Sequence, residues 1–129
     1  MSAKSAKAKG RRLQNLVRDN LRVSFPSLES DDIKSCTMGM SGEDIVLSPA
    51  ARKVIPFCFE CKNKERLDLW KSLQQAESYV SEAERSKAER SGAERTPVLV
   101  IKRNRSKVYA VIEFDEFLKL IRERDERRG

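Results

Sequence analysis

The chain has 129 residues, 39% hydrophobic and 36% charged, which suits one domain with a small core and a heavily charged surface and excludes a multidomain machine or a wholly disordered chain. Its 27 Lys and Arg outnumber 20 Asp and Glu for a net charge of +7, so the expected partner is a polyanion, nucleic acid first. With no histidine and only three cysteines, two of them spaced as Cys58-x-x-Cys61, Ser-His and Cys-His nucleophiles are excluded, and a four-ligand zinc site or a disulfide framework is not expected. No apolar run reaches the roughly 18–20 residues of a membrane span, and MSAKSAKAKGRR lacks the apolar centre of a signal peptide, so the expected location is cytoplasmic, with no membrane partner.

Residues 1–9 are Ala, Ser and Lys and read as a mobile basic arm, leaving 10–129 as a single domain. From Arg11 the spacing of Leu13, Leu16, Val17 and Leu21 predicts a helix that ends before Phe25-Pro26, followed by a polar loop over 27–32. Short strands are expected at 33–37 and 44–47, with a Gly-rich turn between them. A doubly buried strand is expected at 54–61, reached through a loop at 48–53. Leu67, Trp70, Leu73, Ala76 and Val80 recur at three- and four-residue steps and predict a helix with these residues on one face. Ala-Glu-Arg then repeats at 83, 88 and 93 without an apolar stripe, so 81–96 reads as a solvated helix extension or linker. Val98 to Ile101 and Val108 to Phe114 predict a hairpin around a basic turn, and Asp115 the N-cap of a last helix with Phe117, Leu118 and Ile121 on one face. The sum is an α/β domain, a mixed five-stranded sheet flanked by helices.

Chemistry concentrates where Asp44 opens one strand and Glu60-Cys61-Lys62 closes the next, sixteen residues later. Paired as a hairpin, these strands bring the two carboxylates together at one end of the sheet, and alternation puts Lys62 on the face of Glu60. Two carboxylates plus the main-chain carbonyl of Cys61 form a hard-oxygen site for Mg²⁺, with Mn²⁺ as substitute. Such a site suits phosphodiester hydrolysis, Lys62 orienting water or stabilising charge on phosphorus. The bland reading of Glu60 and Lys62 is a structural ion pair, which a setting at the end of a buried strand disfavours.

Asp44 with Glu60-x-Lys62 resembles the PD-(D/E)xK nuclease superfamily, whose fold is restriction-endonuclease-like. Within it the chain is similar to the small Holliday junction resolvases of archaeal type, also found in phages, from Lys9-Gly10 through Ser41 to Glu60-x-Lys62. Glu43 stands where the superfamily usually has Pro. Gln14 stands where the resolvases place a metal-side glutamate, so it joins the catalytic set as a neutral member. Gln75 and Tyr79 resemble a Gln-x-x-x-Tyr element of related nucleases, packing on the sheet being an equal alternative. The resemblance implies Mg²⁺-dependent cutting of four-way DNA junctions by a homodimer, in the host cytoplasm if the protein is phage-encoded. Its alternatives are a repair nuclease acting on flaps, nicks or single strands, and a basic DNA-binding protein without activity.

Charge excess is local. Residues 1–22 carry seven basic groups against Asp19, and 96–114 carry Lys102, Arg103, Arg105 and Lys107 against Glu113. The expected DNA contacts are therefore Lys9, Arg11, Arg12, Lys64, Gln75, Lys102, Arg103, Arg105 and Lys107, with Ser41 either touching the scissile phosphate or capping a turn. Trp70 reads as core or interface, the cysteines Cys36, Cys58 and Cys61 as small core fillers, and Phe117, Leu118 and Ile121 as dimer interface or core.

Overall fold

The computed structural model describes residues 3–36, 43–87 and 95–128. Helix α1 spans Ala3–Ser24, and a single 3-10 turn at Ser30–Asp32 leads into β1, Ile33–Ser35. Next come β2 (Ile45–Leu47), α2 (Pro49–Val54), β3 (Phe57–Asn63), α3 (Leu69–Lys87), β4 (Thr96–Lys102), β5 (Tyr109–Val111) and α4 (Phe114–Arg128).

The expected arm at residues 1–9 is, from Ala3 on, the first two turns of α1. Alanine and lysine are good helix formers, and the turn is tied down at Lys9. Its side chain is buried beside Glu65 (Nζ to Oε1 3.8 Å), and its carbonyl accepts from Asn63 Nδ2 at 3.1 Å. Leu13 and Val17 are buried as expected, but Leu16 faces outward. The segment 48–53, expected as a loop, is largely helix α2. Ser48 caps it by accepting from Ala51 N–H at 3.1 Å, Pro49 supplies the preset φ of the first turn, and the Ser48 hydroxyl donates to Asp32 Oδ1 at 2.6 Å.

Because α2 intervenes, β2 and β3 do not form the expected hairpin. β2 pairs antiparallel with β1, Ile33 opposite Leu47 and Ser35 opposite Ile45. β3 pairs parallel with β4, Glu60 opposite Leu99, and β4 pairs antiparallel with β5, Leu99 opposite Val111. Five strands are present among the described residues, but in sheets of two and three rather than one of five. Among the described residues the two are joined by the backbone bond from Asp44 N–H to Phe59 O at 3.2 Å.

Alternation along β3 creates two unlike faces. Phe59 and Cys61 pack with Val98 and Val100 against Leu13 and Val17 of α1 and Ile33, Ile45, Leu47 and Ile55, the main core. Cys58, Glu60 and Leu99 point to the opposite face, which α3 covers with Ser72, Ala76 and Val80. Cys58 and Cys61 are core fillers as expected. Trp70 is not, being 76% exposed. At 3.6 residues per turn it lies about 120° around α3 from Ala76, and the apparent period that included it began at Leu67, which precedes the helix.

The last helix begins at Phe114, one residue before the expected cap. Glu113 closes its first turn by accepting from Glu116 and Phe117 N–H at 3.0 and 3.1 Å. None of its residues is buried, so Phe117, Leu118 and Ile121 are not core. Among the described residues no helix is long and apolar enough to cross a membrane.

Candidate active site

Asp44 reaches its position by docking on the free edge of β3. Its N–H donates to Phe59 O, and its Oδ2 accepts the Cys61 N–H at 2.6 Å. A strand residue sends N–H and C=O to the same edge, so the Cys61 carbonyl also leaves β3 beside Asp44. From α1, Gln14 Nε2 donates to Asp44 Oδ1 at 3.0 Å. Gln14, Asp44 and β3 thus come together at a strand edge rather than through a hairpin of β2 and β3.

Glu60 is 5% exposed, and Lys62 lies on the same face with Nζ 3.5 Å from Glu60 Oε1. The other carboxylate oxygen, Oε2, is buried with no hydrogen-bond partner. Burial, then repulsion by Asp44, push the Glu60 carboxyl up from 4.5 to about 7, against the pull of Lys62. Burial also raises Asp44, opposed by the Cys61 N–H, Lys62 and the Gln14 amide. A buried carboxylate with an orphaned oxygen, its proton affinity raised by a second, half-buried carboxylate, fits a hard divalent cation. Among the described residues no three His, Cys, Asp or Glu side chains gather into a metal cluster, so an ion on Asp44 and Glu60 would also need backbone or water oxygens.

A family model described as "Phage putative PDDEXK endonuclease" matches residues 5–127. The chain belongs to this family. No curated protein and no solved structure gives a significant match. Membership in this phage PDDEXK family supports a nuclease of the PD-(D/E)xK superfamily, a class that generally uses divalent metals.

In this PDDEXK chain the expected DNA contacts fall into several groups. Arg11, Arg12, Lys64, Arg103, Arg105 and Lys107 are exposed. Lys9 is buried and paired, which removes it from the surface. Lys102 is half-buried, its ammonium donating to the carbonyls of Arg103 and Ser106 at 3.0 and 3.1 Å, so it braces the hairpin turn. Gln75 donates to the Tyr79 hydroxyl at 3.1 Å, on the half-buried side of α3. Ser41 lies outside the described residues.

The sequence reading missed Arg95 and the role of Glu43. Arg95 ends the last Ala-Glu-Arg repeat, expected to be solvated, yet it is buried and bonded through both terminal nitrogens to the Glu43 carboxylate, Nη1 to Oε2 at 2.9 Å. The pair ties the residue before Asp44 to the base of β4. Arg52 lies in the same field. Burial, with Arg95 nearby, lowers its pKa, and its Nε has no partner. Burial and Glu43 push the Cys58 thiol up to about 12, so it is no nucleophile. An acid next to Asp44 and an arginine just before a core strand were the available signals.

Proposed function

We propose that this chain is a Mg²⁺-dependent DNA endonuclease that resolves four-way junctions as a homodimer. The observation that carries the hydrolytic reading is the orphaned, buried Glu60 Oε2 beside Asp44 and Lys62. A non-catalytic DNA binder has no use for two carboxylates where phosphate must lie. Asp44 and Glu60 would hold the ion with the Cys61 carbonyl, and the ion would lower the pKa of water and offset charge on the phosphoryl oxygens. Lys62 directs its ammonium at the same place, orienting the attacking water and stabilising charge that develops on phosphorus. Gln14 fixes the Asp44 carboxylate through Oδ1, leaving its other lone pairs for the ion.

Junction resolution needs two nicks and hence two sites. The exposed apolar side chains of α4, among them Phe117, Leu118 and Ile121, support a second copy of the chain as their cover. The exposed cations Arg11, Arg12, Arg103, Arg105 and Lys107 supply phosphate contacts. The test is a labelled four-way junction incubated with and without Mg²⁺, beside flap, nicked and linear duplexes. Paired symmetric nicks in the junction alone are expected. Preferential cutting of flaps or single strands would favour a repair nuclease, and binding without cutting in any divalent metal would leave a binding protein.

A further inference from the structure

Beyond Lys62 the sheet face that carries Glu60 continues past the first turn of α3 and opens into a cleft of about 440 Å³. Leu67, Leu69, Ile101 and Tyr109 line it with apolar surface, and Lys64 and Arg103 contribute exposed cations. Its acidic neighbour, Glu65, is already engaged, accepting from Asn104 N–H at 2.7 Å and facing Lys9. Tyr109 is 57% exposed, on β5 opposite Ile101. Lys64 stands two residues after Lys62, roughly 7 Å along the chain at strand rise. Trp70, the only tryptophan, is exposed next to Leu69 on the first turn of α3.

An intact duplex presents phosphates outside and hides its base faces in the stack. It would use the cations but not an apolar slot with an aromatic wall. An unpaired nucleotide offers both a bare π-face and a phosphate. The volume falls within the roughly 300–1,000 Å³ of small-ligand sites.

We propose that this cleft holds one unpaired nucleotide of the DNA substrate, its base against Tyr109 and its phosphate between Lys64 and Arg103, and so selects DNA opened beside the cut. This rests on the nuclease reading of Asp44, Glu60 and Lys62 for its biological use, though not for the binding itself. The substrate class it predicts is branched DNA with a base unstacked next to the scissile phosphate.

The test uses the full chain in EDTA, where cutting is blocked. An oligothymidylate of about eight nucleotides, an abasic strand of equal length and a blunt duplex are titrated in turn, with Trp70 emission and labelled-DNA anisotropy as readouts. The base-bearing strand is expected to bind about 5- to 150-fold more tightly than the abasic one, the range for one base stack on an aromatic side chain. Tyr109→Ala should erase that preference and Tyr109→Phe retain it. Equal affinity of wild-type protein for the abasic and base-bearing strands overturns the proposal without needing any variant, and leaves the nuclease reading intact. Base preference in a protein that cuts no DNA with Mg²⁺ supports the cleft and refutes the nuclease reading instead.

Discussion

Glu60→Gln gives the sharpest test of the Asp44–Glu60 carboxylate pair. Without metal, burial and the Asp44 charge raise the Glu60 carboxyl from 4.5 to about 7, so the native state holds this proton more tightly than the unfolded chain does. Below pH 4.5 both states are protonated and the site costs nothing. Between 4.5 and 7 stability falls as pH rises, and above 7 the whole penalty is present. At 1.36 kcal/mol per pH unit the full effect is roughly 3 kcal/mol. Glutamine keeps the shape and removes the titration, although its amide brings a donor where Oε2 has no partner, a pH-independent cost of about 1–3 kcal/mol. The pH-dependent difference isolates the charge. In EDTA, from pH 5 to pH 8, the variant should gain roughly 2–3 kcal/mol on the wild type, on the order of 10 °C in Tm for a chain of this size. Thermal unfolding by circular dichroism across that range measures it. Adding Mg²⁺ at pH 8 should then stabilise the wild type by about 2.7 kcal/mol at one hundred times Kd, raising its Tm, and leave the variant nearly unmoved. Parallel Tm–pH curves for the two proteins would refute the account of Glu60 as a charge strained by its surroundings.

Asp44→Asn, Glu60→Gln and Lys62→Ala should each lower DNA cleavage by at least about 100-fold while junction affinity, read by gel shift in Ca²⁺, changes only a few-fold, because phosphate contacts elsewhere carry binding. Since proton and metal compete for Glu60, the Mg²⁺ midpoint of wild-type cleavage should be higher at pH 6 than at pH 8, and a midpoint indifferent to pH would remove Glu60 from the metal set. Gln14→Glu replaces a donor to Asp44 with another carboxylate, so it should lower both the Tm in EDTA and the Mg²⁺ midpoint, while Gln14→Ala should slow cutting without lowering that midpoint. Arg95→Ala leaves the half-buried Glu43 carboxylate without its arginine and should cost about 2–3 kcal/mol by urea denaturation, a loss that Arg95→Lys should partly restore.

Local pattern was enough for part of this molecule. The apolar stripe of Leu13 and Val17, the uninterrupted strand ending in Glu60-Cys61-Lys62 and the Val98–Ile101 run predict α1, β3 and β4 because helix and strand periods are written in consecutive residues. The same alternation sets Glu60 and Lys62 on one face, 3.5 Å apart in the fold. Other features depend on partners distant in the chain. Whether residues 3–9 hang free or continue a helix is decided by Lys9 finding Glu65 and Asn63, more than fifty positions away. Whether 48–53 is a loop depends on Ser48 meeting Asp32, and the resulting helix breaks the expected hairpin and divides the strands between two sheets. Arg95, one more residue of a charged repeat in sequence, becomes buried because the start of β4 lies beside Glu43. Exposure of Trp70 and of the α4 apolar residues follows from which side of each helix meets a sheet, and periodicity alone assigns a phase but no neighbour. Asp44 shows both contributions at once: its carboxylate is visible as the opening of a strand, but its grip on the β3 edge through the Cys61 N–H arises only when two sheets separated in sequence by α2 come together.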